Sequence, residues 1–348
     1  MLLTIIVFIV ILGLLIFVHE WGHFLVARLV GIKVEEFAFG FPPRVLAWKR
    51  GETEYALNLF PIGGYVRLLG EDGKSSDPRA FNRQSVLKRL GVVVAGVAMN
   101  LVLAVLVFWV GFTIGMVPVV SQPAALGGTQ TPQLFVVGVV HNSAAAQIGL
   151  LEFDIIQGFG SSDELRTYTK SHTGETVPLT IIRNGEEVTK QVSLGTDESG
   201  PLGVYTQQVT KVQLPFFQAG RAAVIETGKT VVATFHFLGD FFKNLIGHGQ
   251  IAEGVTGPVG IFRITGQTVQ LGFTYVLQLL GILSVNLALL NILPIPALDG
   301  GRGLFVVLEG IIRRKVVREE IEGTIHAIGF ILLLALIALI TYRDIVHL

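Results

Sequence analysis

The chain has 348 residues, a mean hydropathy of +0.64 and 15% charged residues, a composition too apolar for a soluble domain of this length. Its formal net charge is +0, which excludes the strongly basic surface typical of nucleic-acid-binding proteins. It contains no cysteine, so disulfides and thiolate ligands are excluded and any metal must be bound by histidine and carboxylate side chains.

Four apolar segments, near residues 2–26, 91–117, 275–293 and 325–340, are long enough to cross a bilayer. They predict a multi-pass α-helical protein of the cell (inner or plasma) membrane. The first segment has no basic n-region and no small-residue cleavage site, so we expect a permanent span rather than a signal peptide. Lys and Arg are dense between the first two segments and after the third. By the positive-inside rule those loops are cytoplasmic, and both termini lie outside.

The first segment contains FVHEWGHF, in which three ionisable groups interrupt an apolar helix. His19 and His23 are four residues apart on one helical face, and Glu20 lies one position round. Two imidazoles at this spacing can bind one zinc ion, and the carboxylate can reach a water molecule in the open coordination position. Ionisable groups inside a bilayer cost about 3 kcal/mol each, so they need a partner such as a metal. The pattern predicts two zinc ligands and a general base.

Residues 34–70 follow the first span with partial apolar–polar alternation, many aromatic residues and turn residues at Pro42, Pro43 and Gly51. This pattern predicts a β-hairpin or a small sheet. Its apolar faces suit the membrane surface or the rim of a helix bundle. We therefore expect a membrane-associated β-sheet.

A soluble composition over residues 131–209 predicts an inserted α+β domain. In chain order we expect a strand, a short helix, a strand, a helix over residues 162–171, a hairpin turned at residues 183–185 and a closing strand. This order resembles a PDZ domain of the permuted bacterial kind. The resemblance implies a peptide groove in which Leu202, Gly203 and Val204 match the carboxylate-binding loop and the helix over residues 162–171 forms the other wall.

Residues 216–246 combine spaced charges with aromatic residues and predict an amphipathic helix that lies on the membrane or against the bundle. Residues 254–266 are rich in glycine and predict turns that lead into the third span. The predicted parts of the chain are therefore an N-terminal membrane half (1–130), an extracytoplasmic PDZ-like domain (131–209), a helical connector (210–272) and a C-terminal membrane half (273–348).

A zinc hydrolase needs a third protein ligand, and Asp299 is the candidate. It follows the third span in NILPIPALDGG, where Pro294 and Pro296 end the regular helix and let the aspartate turn inward. The alternative is that Asp299 caps the next helix. Glu309 and His326 are poorer candidates, because Glu309 lies further along the next helix and His326 has no second polar partner.

Two asparagines, Asn286 and Asn291, lie in the same apolar span. Each can hydrogen-bond a neighbouring helix, which is the common fate of buried amides in helix bundles. Asn291 is close to the helix break, so it could instead hold the substrate carbonyl or stabilise an oxyanion.

HEWGH in the first span and NILPIPALDG in a late span together resemble the site-2 protease family of intramembrane zinc metalloproteases. The chain is most similar to the bacterial, PDZ-containing branch that cleaves anti-sigma factors and remnant signal peptides, the regulator of sigma-factor proteolysis type. FGFPP, PIGGYVRLLGE, FNRQSVLKRLGVVVAGVAMN and TGPVGI resemble further family landmarks in the family order. Val97 stands where the family commonly has proline, and one PDZ-like module stands where some relatives have two.

The resemblance implies His19, His23 and Asp299 as zinc ligands, Glu20 as the general base and Asn291 as a substrate-binding residue. It also implies that the β-region holds the substrate in an extended form. The residues implied there are Phe39, Gly40, Phe41, Gly63, Gly64 and Tyr65.

We therefore expect an intramembrane metalloendopeptidase with Zn²⁺ as its cofactor that cuts the transmembrane segment of single-pass proteins near the cytoplasmic end. The expected partners are such substrates, pre-cleaved by another protease, and the lipid bilayer, with no nucleic acid. One alternative is a membrane-anchored PDZ adaptor with a structural or vestigial metal site. A metal transporter is a third reading, but it would require more polar positions in spans two and four.

Overall fold

The computed structural model describes residues 1–71, 75–183, 185–195, 200–248, 255–314, 317 and 319–346. Within these residues the chain forms ten α-helices, a 3₁₀ turn at Phe81–Arg83 and seven strands. The helices are α1 (Leu2–Leu29), α2 (Val86–Ile114), α3 (Pro123–Leu126), α4 (Ala144–Gln147), α5 (Ser162–Ser171), α6 (Phe216–His248), α7 (Pro258–Leu271), α8 (Phe273–Ile292), α9 (Asp299–Ile312) and α10 (Glu319–Val346). The strands are β1 (Val34–Arg50), β2 (Thr53–Leu68), β3 (Thr129–Val139), β4 (Ile155–Ile156), β5 (Thr176–Arg183), β6 (Glu186–Ser193) and β7 (Val204–Gln213).

Four of the described helices are long and apolar enough to cross a membrane, namely α1, α2, α8 and residues Ile321–Val346 of α10. The four predicted spans are therefore confirmed as helices. The predicted amphipathic segment forms the single long helix α6. The side of the membrane that each loop faces stays a prediction.

Helix α1 contains no proline and is almost wholly apolar, and it ends just before Gly31, which has a φ of +83°. Only glycine adopts such a conformation at little cost. The N–H of Ile32 donates to the carbonyl of Ala27 at 2.9 Å. The chain therefore turns directly from the first span into β1, which brings the hairpin next to the histidine-bearing helix.

The β1–β2 hairpin is folded over on itself. Phe37 of β1 lies opposite both Val66 and Tyr55 of β2. Residues 64–68, by contrast, have β1 as their one strand partner among the described residues, and the N–H of Leu68 donates to the Glu71 carboxylate at 3.2 Å. Residues 64–67 therefore have no strand on their other edge within the described part of the chain. The base of the hairpin packs against the spans in an apolar cluster. That cluster comprises Phe24, Ala27, Ile32, Val34, Phe37, Leu68 and Val92.

The other five strands form one antiparallel sheet in the order β6-β5-β4-β3-β7, with β7 at an edge. Its core is apolar and includes Leu134, Val136, Ile156, Ile181 and Val192. Helix α5 buries Leu165, and the hydroxyl of Ser161 accepts the N–H of Glu164 as its N-cap. The predicted order of elements is present, and the turn residue Asn184 lies outside the described residues. The PDZ character of this module stays a prediction.

The chain divides into two compact units. The first comprises Met1–Val105, Thr227–Phe262 and Leu280–Leu348, and the second comprises Leu106–Glu226 and Arg263–Leu279. The first contains α1 and the hairpin, and the second contains the five-stranded sheet. The predicted four-part division of the chain stays a prediction.

The prediction of turns before the third span is wrong for residues 258–266, which belong to helix α7. The proline at the start of α7 has the φ of a first helical residue and lacks the N–H that a helix leaves unpaired there. The Asp344 carboxylate of α10 accepts the N–H groups of Gly257 and Gly260 at 3.0 and 2.9 Å. A side chain far away in the sequence thus accepts the backbone N–H groups at the start of α7. The local sequence could not reveal this contact.

Candidate metal centre

Two histidines and one aspartate from distant parts of the chain meet at one point. The Asp299 Oδ2 atom lies 2.9 Å from His19 Nε2 and 3.1 Å from His23 Nε2, and the two Nε2 atoms are 3.3 Å apart. His19 is buried, and the other two side chains are partly buried. Among the described residues this is the one group of three or more potential metal ligands whose donor atoms lie within 4.8 Å of one another.

The donor set fits a zinc ion. Tetrahedral coordination with bonds of about 2.0–2.1 Å places donor atoms about 3.3 Å apart, close to the separations found here. Two imidazoles and one carboxylate leave a fourth position, as in catalytic zinc sites. Burial alone would raise the pKa of the Asp299 carboxyl, but the neighbouring His19 and His23 imidazoles outweigh burial and lower that pKa. The group is therefore ionised, as a metal ligand must be.

Each imidazole is held through its second ring nitrogen. His23 Nδ1–H donates to the carbonyl of Val92 at 2.8 Å. His19 Nδ1 lies 3.1 Å from the side-chain amide of Asn100, which is fully buried. The Nδ2 atom of Asn100 faces the ring in this orientation. If the amide is turned by 180°, its oxygen takes that place and accepts the Nδ1 proton, which is the orientation that metal ligation through Nε2 requires. Both histidines then present the Nε2 lone pair toward Asp299, as ligation requires.

Helix α2 approaches α1 closely because glycines face the contact. A Cβ atom on Gly96 would lie 2.5 Å from His23 Nε2 and 2.7 Å from His19 Cε1. A Cβ atom on Gly22 would lie 2.8 Å from the carbonyl carbon of Ala95. Small residues commonly allow such approaches between membrane helices. The space beside the two Nε2 atoms therefore exists because residue 96 has no side chain.

Asn100 and Gly96 were not predicted as parts of this centre. A signal was present, since Asn100 is a lone amide in an apolar span, four residues after a glycine. A polar group within a membrane helix needs a hydrogen-bond partner, so the sequence predicts one for Asn100.

Asp299 is the first residue of α9, and Leu298 occupies the N-cap position. The alternative that Asp299 caps this helix is therefore wrong. The two residues that follow it are Gly300 and Gly301, and a Cβ atom on Gly301 would lie 2.9 Å from the carbonyl carbon of Ile295. These glycines allow α9 to begin directly against the loop over residues 293–298, which presents the carboxylate to the histidines.

Glu20, the predicted general base, follows His19 on α1 and is partly buried. Its side chain runs beside β2, since a Cβ atom on Gly64 would lie 3.2 Å from Glu20 Cγ. Gly64 belongs to the part of β2 whose outer edge is free. The Glu20 side chain therefore packs against β2 at Gly64.

The other predicted substrate-binding residues lie within the same hairpin. Phe39 packs on α1, because a Cβ atom on Gly13 would lie 3.1 Å from its ring. Gly40 and Gly63 have φ values of +87° and +125°, which exclude ordinary side chains. The ring of Phe41 lies over Gly63 and is 50% exposed.

Tyr65, the last of this group, donates its hydroxyl proton to the buried carboxylate of Glu36 at 2.9 Å. Burial and this hydrogen bond raise the pKa of the Tyr65 phenol, so it stays protonated. Glu36 also pairs with Arg44 and Arg67. Tyr65 thereby belongs to a charged network that fixes the shape of the hairpin.

The remaining candidates have separate positions. Asn291 is partly buried in the last turn of α8, and its substrate role stays a prediction. Asn286 accepts a hydrogen bond from the Thr234 hydroxyl at 3.0 Å, as expected of an amide between helices. Glu309 pairs with Arg89 at 2.8 Å, which accounts for its place outside the ligand group.

The predicted peptide groove of the five-stranded module has its two walls side by side. Leu202 is only 2% exposed, and the carbonyls of Leu202 and Gly203 accept backbone N–H groups of residues 145 and 140. Val204 begins the edge strand β7. The hydroxyl oxygens of Ser162 in α5 and Thr206 in β7 are 2.8 Å apart. Peptide binding between these walls stays a prediction.

The family described as peptidase family M50 matches residues 7–336. The chain therefore belongs to peptidase family M50, the site-2 protease family. A candidate zinc metalloprotease of Clostridium perfringens is 36% identical over 338 residues, which cover 95% of each chain. The zinc metalloprotease RasP of Oceanobacillus iheyensis is 30% identical over 433 residues, covering 98% of each chain. RasP of Shouchella clausii is also 30% identical, with the same coverage. The predicted family and the predicted metalloprotease class are confirmed.

Proposed function

We propose that this chain is an intramembrane zinc metalloprotease that hydrolyses a peptide bond within the transmembrane segment of single-pass membrane proteins. The observation that carries the proposal is the meeting of His19, His23 and Asp299, with donor atoms 2.9–3.3 Å apart, beside Glu20. His19 and His23 lie on a helix apolar enough to span a bilayer, and Asp299 follows another. Membership of peptidase family M50 and the relatives' names support zinc as the metal.

The division of chemical work follows from the positions of the residues. Zinc bound by His19, His23 and Asp299 would supply Lewis acidity, which lowers the pKa of a water molecule toward about 7. Glu20, one position along the helix from His19, accepts the proton of that attacking water and returns it to the leaving nitrogen. Val92 and Asn100 keep the two imidazoles in the tautomer that leaves Nε2 free. Asn291 is proposed to hold the substrate near this site.

The free edge of β2 offers a place for the substrate. A transmembrane helix satisfies its carbonyl groups internally, and lipid supplies no replacement donors when the helix unwinds. Residues 64–68 have a paired strand on one side only among the described residues, and Gly64 lies against Glu20. An unwound substrate segment could therefore add to the hairpin as a further strand beside the base.

The orientation and the role of the five-stranded module are part of the same proposal. The distribution of Lys and Arg supports a site near the cytoplasmic end of the spans and a module outside the cell membrane. The module would screen for substrates already trimmed by another protease, either by excluding bulky ectodomains or by binding a new C-terminus. Anti-sigma factors and remnant signal peptides are substrates of this kind.

Reconstitution with a model single-pass substrate tests the proposal. The intact protein should cleave the substrate, chelation should abolish cleavage, and added zinc should restore it. Glu20→Gln should retain zinc yet cleave at least about 100-fold more slowly, because glutamine cannot accept the proton. The rival reading, a PDZ adaptor with a structural metal, predicts that Glu20→Gln leaves the protein's function intact.

A further inference from the structure

The loop over residues 293–298, which presents Asp299, is held by a side chain that lies 27 residues beyond Asp299. His326 of α10 accepts the backbone N–H of Ala297 through Nδ1 at 2.9 Å. Ala297 is two residues before Asp299, and Leu298 between them is the N-cap of α9. The bond therefore joins the last span to the segment that aims the carboxylate.

Ala297 has an unusual backbone conformation. Its φ is +81°, in a region that residues with a Cβ atom rarely adopt. Strained conformations of this kind persist only where the surroundings impose them, and they cluster at functional sites. The hydrogen bond to His326 is made by the N–H of this same residue. It is thus a contact that can hold the strained turn in place.

Two further contacts show that α10 is fitted to this loop. A Cβ atom on Gly329 would lie 2.6 Å from the carbonyl oxygen of Pro296, so the helix and the loop touch through a glycine. The ring of Phe305 in α9 meets the His326 ring edge-on at 5.9 Å between centroids. The His326 ring therefore contacts α9, and its helix touches the loop.

The state of the His326 ring follows from its bond. A nitrogen that accepts an N–H carries no proton, so the ring is neutral with its proton on Nε2. Nε2 is buried and has no hydrogen-bond partner among the described residues. His326 also lines a cavity of about 280 Å³ together with Ala297, Leu298, Asp299, Arg302 and Phe330. The hydrogen bond from Ala297 to Nδ1 is thus the one hydrogen bond that the His326 ring makes among the described residues.

We propose that His326 is a positioning residue of the metal centre, which holds the strained turn at Ala297 and so fixes where the Asp299 carboxylate meets His19 and His23. The inference deepens the proposed function and rests on it. It requires a hydrogen-bond acceptor at the Nδ1 position and no charge on the ring. Asparagine, whose amide oxygen can occupy nearly the same place, should therefore replace the histidine, and leucine should not.

The test compares three variants of the full-length protein purified in detergent, His326→Leu, His326→Asn and His236→Leu. His236 is exposed on α6 and serves as the matched control. Zinc affinity is measured by competition with a chelator, kcat and KM are measured on a single-pass substrate, and thermal unfolding is measured after metal removal. His326→Leu should lower zinc affinity about tenfold or more and reduce kcat with little change in KM. His326→Asn and His236→Leu should stay close to wild type.

Two results would overturn the inference. One is wild-type zinc affinity and kcat in His326→Leu, and the other is equal impairment of His326→Asn and His326→Leu. If His326→Leu does not fold, the asparagine variant decides alone, since it must then bind zinc and cleave like the wild type. A wild-type protein that binds no zinc and cleaves nothing would instead refute the proposed function itself.

Discussion

At the scale of single residues, the sequence was enough to predict that the two histidines of HExxH and the late aspartate Asp299 form one metal site. Ionisable groups in an apolar helix require an explanation, and the spacing of His19 and His23 supplies one. Asn100 and Gly96 could not be placed in the same way. Their role depends on which face of α2 meets α1, and an apolar span of this kind carries no periodic pattern that reveals its inner face. The candidate ligands could thus be identified from local sequence, whereas the contacts of Asn100 and Gly96 depend on how α1 and α2 pack.

Gly96→Ala should damage the metal centre without unfolding the protein. The added Cβ atom would lie within 2.8 Å of His19 Nε2 and closer still to His23 Nε2, in the space that ligation uses. Zinc content and proteolysis should both fall at least about tenfold. The matched control is Gly91→Ala on the same helix, where the new Cβ atom would meet only the Val26 side chain at 4.0 Å. Equal zinc contents in the two variants would show that the space beside the imidazoles is not needed.

Asn100→Ala should lower zinc affinity about tenfold or more, because His19 loses the side-chain amide whose oxygen, once turned toward Nδ1, would accept its proton. Asn100→Asp keeps an acceptor oxygen and should retain most of the affinity. Asn286→Ala removes a different amide hydrogen bond between helices and should leave zinc binding unchanged. Chelator competition on the purified variants measures the zinc affinity of each one. A loss in Asn100→Asp as large as in Asn100→Ala would contradict the acceptor role.

At the scale of elements, the sequence predicted a hairpin after the first span but not its folded-over form. Alternation identifies strands, yet it does not tell that Phe37 has partners in two parts of β2. That arrangement depends on Gly40 and Gly63 at positive φ, and on the Glu36 network, which joins residues far apart in the hairpin. Among the described residues this arrangement leaves residues 64–67 with a strand on one side only, and Gly64 lies against the Glu20 side chain.

Proline substitutions along residues 64–67 should separate substrate binding from metal binding. Proline removes a backbone donor, so at positions whose N–H faces the free edge it should abolish cleavage by disturbing strand addition. Zinc content should stay normal, because none of these residues is a ligand. Ala47→Pro, in the β1 segment that pairs with residues 53–58, is the control and should affect cleavage far less. Wild-type cleavage in every one of the edge variants would contradict substrate addition at this strand.

At the scale of the whole molecule, length and composition were enough to predict four spans, and the described part of the chain contains four helices long and apolar enough to cross a membrane. The order of elements in the five-stranded module was also predictable, because hairpin and alternation signals are local. The start of α7 was not predictable, because its N–H groups are accepted by the Asp344 carboxylate, which lies 84 residues from Gly260. The candidate metal centre joins residues 280 positions apart. The need of a zinc site for a third ligand and the family resemblance both indicated that these residues meet.

The most direct test of the account is zinc-edge X-ray absorption of the purified full-length protein. The account predicts scattering from two imidazole nitrogens and one carboxylate oxygen at about 2.0–2.2 Å, with the carboxylate contribution lost in Asp299→Ala. Zinc bound without imidazole scattering, or a spectrum unchanged in Asp299→Ala, would contradict the assignment of His19, His23 and Asp299 as a shared metal site.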